Sequence, residues 1–187
     1  IFRIVENYVS PVAGRISSQR HVKAIRDGFI SAMPFMIVGS FLLVFAYPPF
    51  SPDTTWGFAR AWLDLAKQFE GQILTPLDMT MGIMSVYICA AIAYNLGKHY
   101  VKSYQLDPFM CAMLSIMAFL LIAAPKTKGT MPVDSLGGTG IFTAILVAIY
   151  CVEMMRFLKA HNIGIRLPDQ VPPMIKNSFD LLIPVLV

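Results

Sequence analysis

Twenty consecutive residues, 28–47, carry no charged side chain. As a helix rising 1.5 Å per residue, such a run is about 30 Å long, the thickness of a bilayer's hydrocarbon core. Residues 79–96 form a second uncharged run of 18 residues, and residues 108–124 a third of 17. Asp107 and Pro108 supply an N-cap and a first helical position for the third run, and Pro125 with Lys126 closes it. A fourth span is expected over residues 138–158, with Glu153 and Arg156 near its end, and a fifth begins near Phe179. Pro34 lies inside the first run and is expected to kink it, which packed membrane helices tolerate. Composition points the same way: 56% of residues are apolar and 14% charged, against roughly 45–50% and about 25% in soluble domains. The expected fold class is therefore all-α, a polytopic transmembrane helix bundle of about four full spans plus the start of a fifth.

The segments between the runs divide the chain. Residues 1–27 form an amphipathic segment in which Ile1, Val5, Tyr8, Val9, Val12 and Ile16 share a face, with Pro11 expected to bend it. Residues 28–158 hold the bundle and, at about 55–70, an interfacial helix. There Phe58, Trp62, Leu65 and Phe69 recur at helical spacing, Arg60, Asp64 and Lys67 face outward, and the Trp residues suit the headgroup level. A loop helix packed on the bundle is the alternative for that segment. Residues 159–178 read as a Pro-rich linker and 179–187 as the start of a further span. No initiator Met is present and the last residues stop within an apolar run, so both ends are expected to be cut from a longer chain.

Lys and Arg counts set an expected orientation. Segments 1–27, 97–107 and 156–178 carry five, two and four, eleven in all, whereas 48–78 and 125–137 carry two each. The positive-inside rule then places the N-terminus in the cytoplasm. The net charge of +4 belongs to residues flanking the spans, so anionic lipid headgroups rather than nucleic acid are the expected partner.

Few residues stand out as carriers of chemistry. Ser85, Cys89, Ala93 and Gly97 repeat every four positions, a small-residue stripe that lets another helix approach closely. Cys111 and Cys151 likewise lie in apolar stretches without C-x-x-C spacing and read as packing residues. Glu153, the one acid inside an expected span, is a functional candidate by default. Arg156 is three residues on and on the same face, so a structural pair near the interface is the favoured reading and a role in transport or gating the alternative. His21, His99 and His161 are far apart in sequence with no carboxylate at ligand spacing, and are expected to be solvated or to touch headgroups. The run at 136–140, LGGTG, lacks the lysine of a phosphate loop and reads as a helix start. No metal or cofactor motif emerges, and none is expected.

Longer stretches nevertheless resemble a family. PVAGRI from Pro11, QRHVKAIRDGFI from Gln19 and Met33-Pro34 look like the opening of the bacterial phosphotransferase system permeases called enzyme IIC (EIIC), in their lactose/cellobiose/chitobiose branch. LDMTMGIMS from Leu77 resembles the start of the family's second span. LPDQVPP from Leu167, followed by Asn177-Ser-Phe and Leu182-Ile-Pro, resembles its linker into later helices. The chain departs from the family in length, covering rather less than half of such a permease. The resemblance implies a bacterial cytoplasmic-membrane protein that imports a β-linked disaccharide such as cellobiose, chitobiose or lactose and phosphorylates it. The phosphoryl group would come from phosphoenolpyruvate through a soluble EIIB protein carrying a phosphocysteine. In the family, the His and Glu that contact the sugar lie in re-entrant hairpins of the C-terminal half. No position here matches them, so no catalytic residue is assigned and this chain is not expected to be catalytic alone. The resemblance further implies a scaffold that forms a homodimer, with basic loops near residues 98–102 and 156–176 meeting EIIB or lipid. A non-phosphorylating transporter or channel, or a structural membrane subunit, remains the alternative on the residues alone.

Overall fold

The computed structural model describes residues 10–125, 132–163, 179 and 182–186. Among these, every regular element is helical. Helix α1 (Ser10–Ser18) leads through Gln19 into α2 (Arg20–Ala46), which runs on through Pro34. After an irregular turn come α3 (Gly57–Gln68) and α4 (Glu70–Leu77). A π-helical turn, Asp78–Gly82, joins α4 to α5 (Met84–Tyr104). Helix α6 (Pro108–Ala123) follows. The 3₁₀ turn Gly138–Gly140 then opens α7 (Ile141–Ala160), and Leu182–Leu186 forms the short α8. Of the residues expected to bend at Pro11, 1–9 lie outside those described, as does most of the expected linker.

Among the described residues three stretches are long and apolar enough to cross a membrane: Arg20–Ala46, Glu70–Tyr104 and Gly138–Ala160. The expected third span is a shorter apolar helix of 16 residues, about 24 Å of rise. Its ends are set chemically. The Asp107 carboxylate accepts the backbone N–H groups of Phe109 (2.9 Å) and Met110 (3.4 Å), satisfying two donors that a helix start leaves open. Ala124, preceding Pro125, has left the helical region at φ −130°, ψ 55°, as the bulk of a following proline ring favours.

Helix α5 is the centre of the bundle: α2, α6 and α7 all pack on it, and α6 and α7 pack on each other. Its Ile88, Cys89, Ile92, Ala93 and Leu96 are fully buried. Pro76, in the last turn of α4 just ahead of the π turn, supplies no N–H to the helical ladder. Thr80 Oγ1 donates back along the helix to the carbonyls of Pro76 (2.8 Å) and Leu77 (3.0 Å). At its far end Gln105 adopts the left-handed φ of 53° that closes a helix.

Helix α3 turns its small residues inward. Ala59 and Ala66 are buried and Trp62 and Leu63 half-buried, while Phe58, Leu65 and Phe69 are exposed. The two alanines face inward while the larger side chains of the expected apolar face stay exposed.

Candidate functional site

At one end of the bundle the first turn of α2, the last turns of α5 and the end of α7 meet around one carboxylate. Glu153 Oε1 accepts the Tyr100 hydroxyl at 2.5 Å and lies 2.9 Å from His21 Nε2. Its Oε2 is 2.7 Å from a terminal nitrogen of Arg156, one turn further along α7. The ring of Tyr100 carries two guanidinium groups, Arg20 at 5.2 Å and Arg156 at 5.3 Å, and Arg156 also lies 6.0 Å from the Tyr104 ring centre. Such cation–π contacts gain most where water is partly excluded. Tyr100 is 1% exposed; the side chains of Glu153, Arg156 and His21 are 24%, 39% and 40% exposed.

These positions follow from helical spacing. Tyr100 and Tyr104 are four apart on α5, Glu153 and Arg156 three apart on α7, so each pair shares a face. Helix α2 starts at Arg20, eight residues ahead of the expected span, and this extra length brings His21 to the carboxylate. The expectation of a solvated His21 is corrected: its partner lies 132 residues away in sequence and no local spacing could reveal it. His99 is exposed, and His161 Nδ1 lies 2.9 Å from the Phe157 carbonyl, its ring against that of Phe157.

Its two oxygens meet side chains from α2, α5 and α7, so one carboxylate, that of Glu153, ties three helices together. Among the described residues no group of three His, Cys, Asp or Glu side chains could hold a metal ion.

The stripe Ser85, Cys89, Ala93 and Gly97 is buried throughout. A Cβ on Gly97 would meet Pro108 Cα at 3.0 Å and Cys111 Sγ at 3.2 Å, and the Cys89 thiol reaches the Ser115 carbonyl at 3.5 Å. The stripe therefore seats α6. Ser85 does something else: its backbone N–H donates to the Leu136 carbonyl at 3.0 Å, as does its hydroxyl. The loop before α7 thereby caps the start of α5. A second seam escaped the sequence reading. Ala24, Gly28 and Ala32 are the buried residues of α2's first half, and a Cβ at Gly28 would meet the Ile92 backbone nitrogen at 2.9 Å. Their four-residue spacing was the available signal. Cys89, Cys111 and Cys151 are all buried free thiols.

Comparison with known proteins assigns this arrangement. The family described as "Phosphotransferase system, EIIC" matches residues 26–187. The "PTS system cellobiose-specific EIIC component" of Geobacillus stearothermophilus is 36% identical over 198 residues, covering 97% of this chain and 42% of the relative. The "Lichenan permease IIC component" of Bacillus subtilis (strain 168) is 33% identical, covering 97% and 41%. The "PTS system lactose-specific EIICB component" of Streptococcus mutans is also 33% identical, covering 93% and 30%. Among solved structures, the transporter ChbC, described as the IIC component from the N,N'-diacetylchitobiose-specific phosphotransferase system, superposes with a TM-score of 0.81. It is 34% identical, over 98% of this chain and 44% of that one. The chain thus spans less than half the length of the relatives it matches. With three helices able to cross a bilayer and a family match over most of its residues, the chain is an integral membrane protein belonging to the phosphotransferase system EIIC family.

Proposed function

We propose that this chain is the membrane scaffold and dimerisation part of a sugar permease that imports a β-linked disaccharide and phosphorylates it with a phosphorylated EIIB partner. The observation that carries this reading is the combination of family match and length: residues 26–187 match, yet 42% of the cellobiose-specific relative is covered. The relatives' names, cellobiose, lichenan, lactose and diacetylchitobiose, support the sugar class. Glu153, held against His21, Tyr100 and Arg156, then serves with Arg156 as a pin between helices, and the stripe from Ser85 to Gly97 as an internal seam. Family membership favours a phosphorylating permease over an unrelated channel or a structural subunit.

Homodimer formation is supported by α2, on which Ile30, Met33, Ile37, Val38 and Phe41 remain about half exposed or more, leaving apolar area for a second copy or for lipid. The excess of Lys and Arg on segments 1–27, 97–107 and 156–178 supports a cytoplasmic N-terminus. The test is transport. In vesicles supplied with phosphorylated EIIB, this chain alone should neither accumulate nor phosphorylate radiolabelled cellobiose, chitobiose or lactose, whereas a complete permease containing it should do both. Phosphorylated sugar formed by the chain alone would refute the scaffold reading.

A further inference from the structure

At the opposite end of α2 from Glu153, an open cleft of about 190 Å³ is lined by Pro52, Arg60, Leu63, Asp64 and Lys67. Three opposite charges stand at i, i+4 and i+7 on α3, spacing at which helix side chains ordinarily pair. They do not: among the described residues neither Asp64 nor Lys67 forms an ion pair. Arg60 spends its Nε on the Thr54 carbonyl at 2.8 Å, which fixes the side chain and leaves its terminal nitrogens open. The cleft thus offers two cationic groups and one carboxylate, all unspent.

Its surroundings set the height in the bilayer. Trp62 packs against Phe45, one residue from the end of α2, at 5.7 Å, and against Phe50 at 5.7 Å. Trp56 and Phe58 extend the same aromatic group. Aromatic groups at the end of an apolar span mark the level where hydrocarbon gives way to headgroups. Around α3, exposed Phe58 and Leu65 form one flank and the charged cleft the other, with the small exposed Ala61 between them. A molecule lying across Ala61 could place acyl chains on the first flank and a polar head in the second.

We propose that this cleft binds the headgroup of an aminophospholipid, with its phosphate on Arg60 and Lys67 and its primary ammonium on Asp64. A purely anionic lipid would leave Asp64 facing the phosphate, and a quaternary ammonium could not donate a hydrogen bond to it, so the charge set selects a phosphate joined to a primary amine. The chains beside Phe58 and Leu65 make the source a membrane lipid rather than a free phosphate ester. The inference rests on membrane embedding and is independent of the scaffold reading.

The test is native mass spectrometry of the full chain in detergent, titrated with phosphatidylethanolamine, phosphatidylcholine and phosphatidylglycerol of identical chains. Phosphatidylethanolamine is expected to bind about five-fold more tightly than phosphatidylcholine, the equivalent of one interfacial ion pair. Asp64→Asn should abolish that preference. Arg60→Gln and Lys67→Gln should each weaken binding about five-fold, while Lys67→Arg, which keeps the charge, should retain it. Equal binding of all three lipids, preference for phosphatidylglycerol, or unchanged affinity in correctly folded Asp64→Asn and Lys67→Gln chains would overturn the proposal. So would competition by chainless glycerophosphoethanolamine at equal concentration, which would make the ligand a soluble ester.

Discussion

Truncating Glu153 should do more than remove an ion pair, because its three partners differ in burial. Tyr100 is 1% exposed, and its hydroxyl has Glu153 as its acceptor at 2.5 Å. Left without it, a buried donor costs about 1–3 kcal/mol. His21 and Arg156 are 40% and 39% exposed, so water and salt screen them and each contributes about 0–1 kcal/mol. Glu153→Ala is therefore expected to destabilise by about 1–5 kcal/mol, most of it through Tyr100. Tyr100→Phe in the natural sequence should cost about 1–1.5 kcal/mol. In a Glu153→Ala chain the same change should be neutral or stabilising, since it deletes the orphaned hydroxyl. The assay is unfolding of the four chains in mixed micelles with rising dodecyl sulfate, followed by far-ultraviolet circular dichroism. A Tyr100→Phe cost of equal size in both backgrounds would refute the argument, as would a Glu153→Ala loss of about 0.5 kcal/mol or less, the level of an ordinary surface change.

Three further outcomes follow from the packing. Gly28→Ala should destabilise by about 1–3 kcal/mol, because its methyl meets the Ile92 backbone at 2.9 Å; Gly14→Ala, with nothing within 4 Å, should instead stabilise by up to about 1 kcal/mol. Asp107→Ala should cost about 0.5–2 kcal/mol and speed hydrogen exchange at Phe109 and Met110, whose N–H groups it caps. Cys89, Cys111 and Cys151, all buried, should resist maleimide in the folded chain and react together on unfolding; rapid labelling of Cys89 in native micelles would contradict the α5–α6 seam.

Much of the helical layout was legible because its causes are local. Uncharged runs predict helices wherever they are long enough, and Asp107-Pro108 marks a start that the structure places at Pro108. The extent of α2 was missed, since Arg20, Lys23, Arg26 and Asp27 argue against lipid while saying nothing against helix. The extension of the second run back to Glu70 was missed; it carries Pro76 within α4 and Gly82 within the π turn. Around Glu153 the nearby Arg156 was visible and the two distant partners, His21 and Tyr100, were not. Their meeting depends on how three helices pack, and packing is set by Gly28 against Ile92 and Gly97 against Pro108, contacts far apart in the chain.

The extra length of α2 bears on how the bundle sits across membranes of different thickness. The helix has 27 residues, about 40 Å of rise, whereas its uncharged part matches a hydrocarbon layer of about 30 Å. The first two turns must therefore stand proud of the oily layer, and they carry His21 to Glu153 near the end of α7. Two helices fastened together at one elevation cannot slide past each other to suit a thinner or thicker sheet. The bundle has to tilt as a body or deform the lipid around it, and hydrophobic mismatch then acts on the whole assembly instead of on single helices.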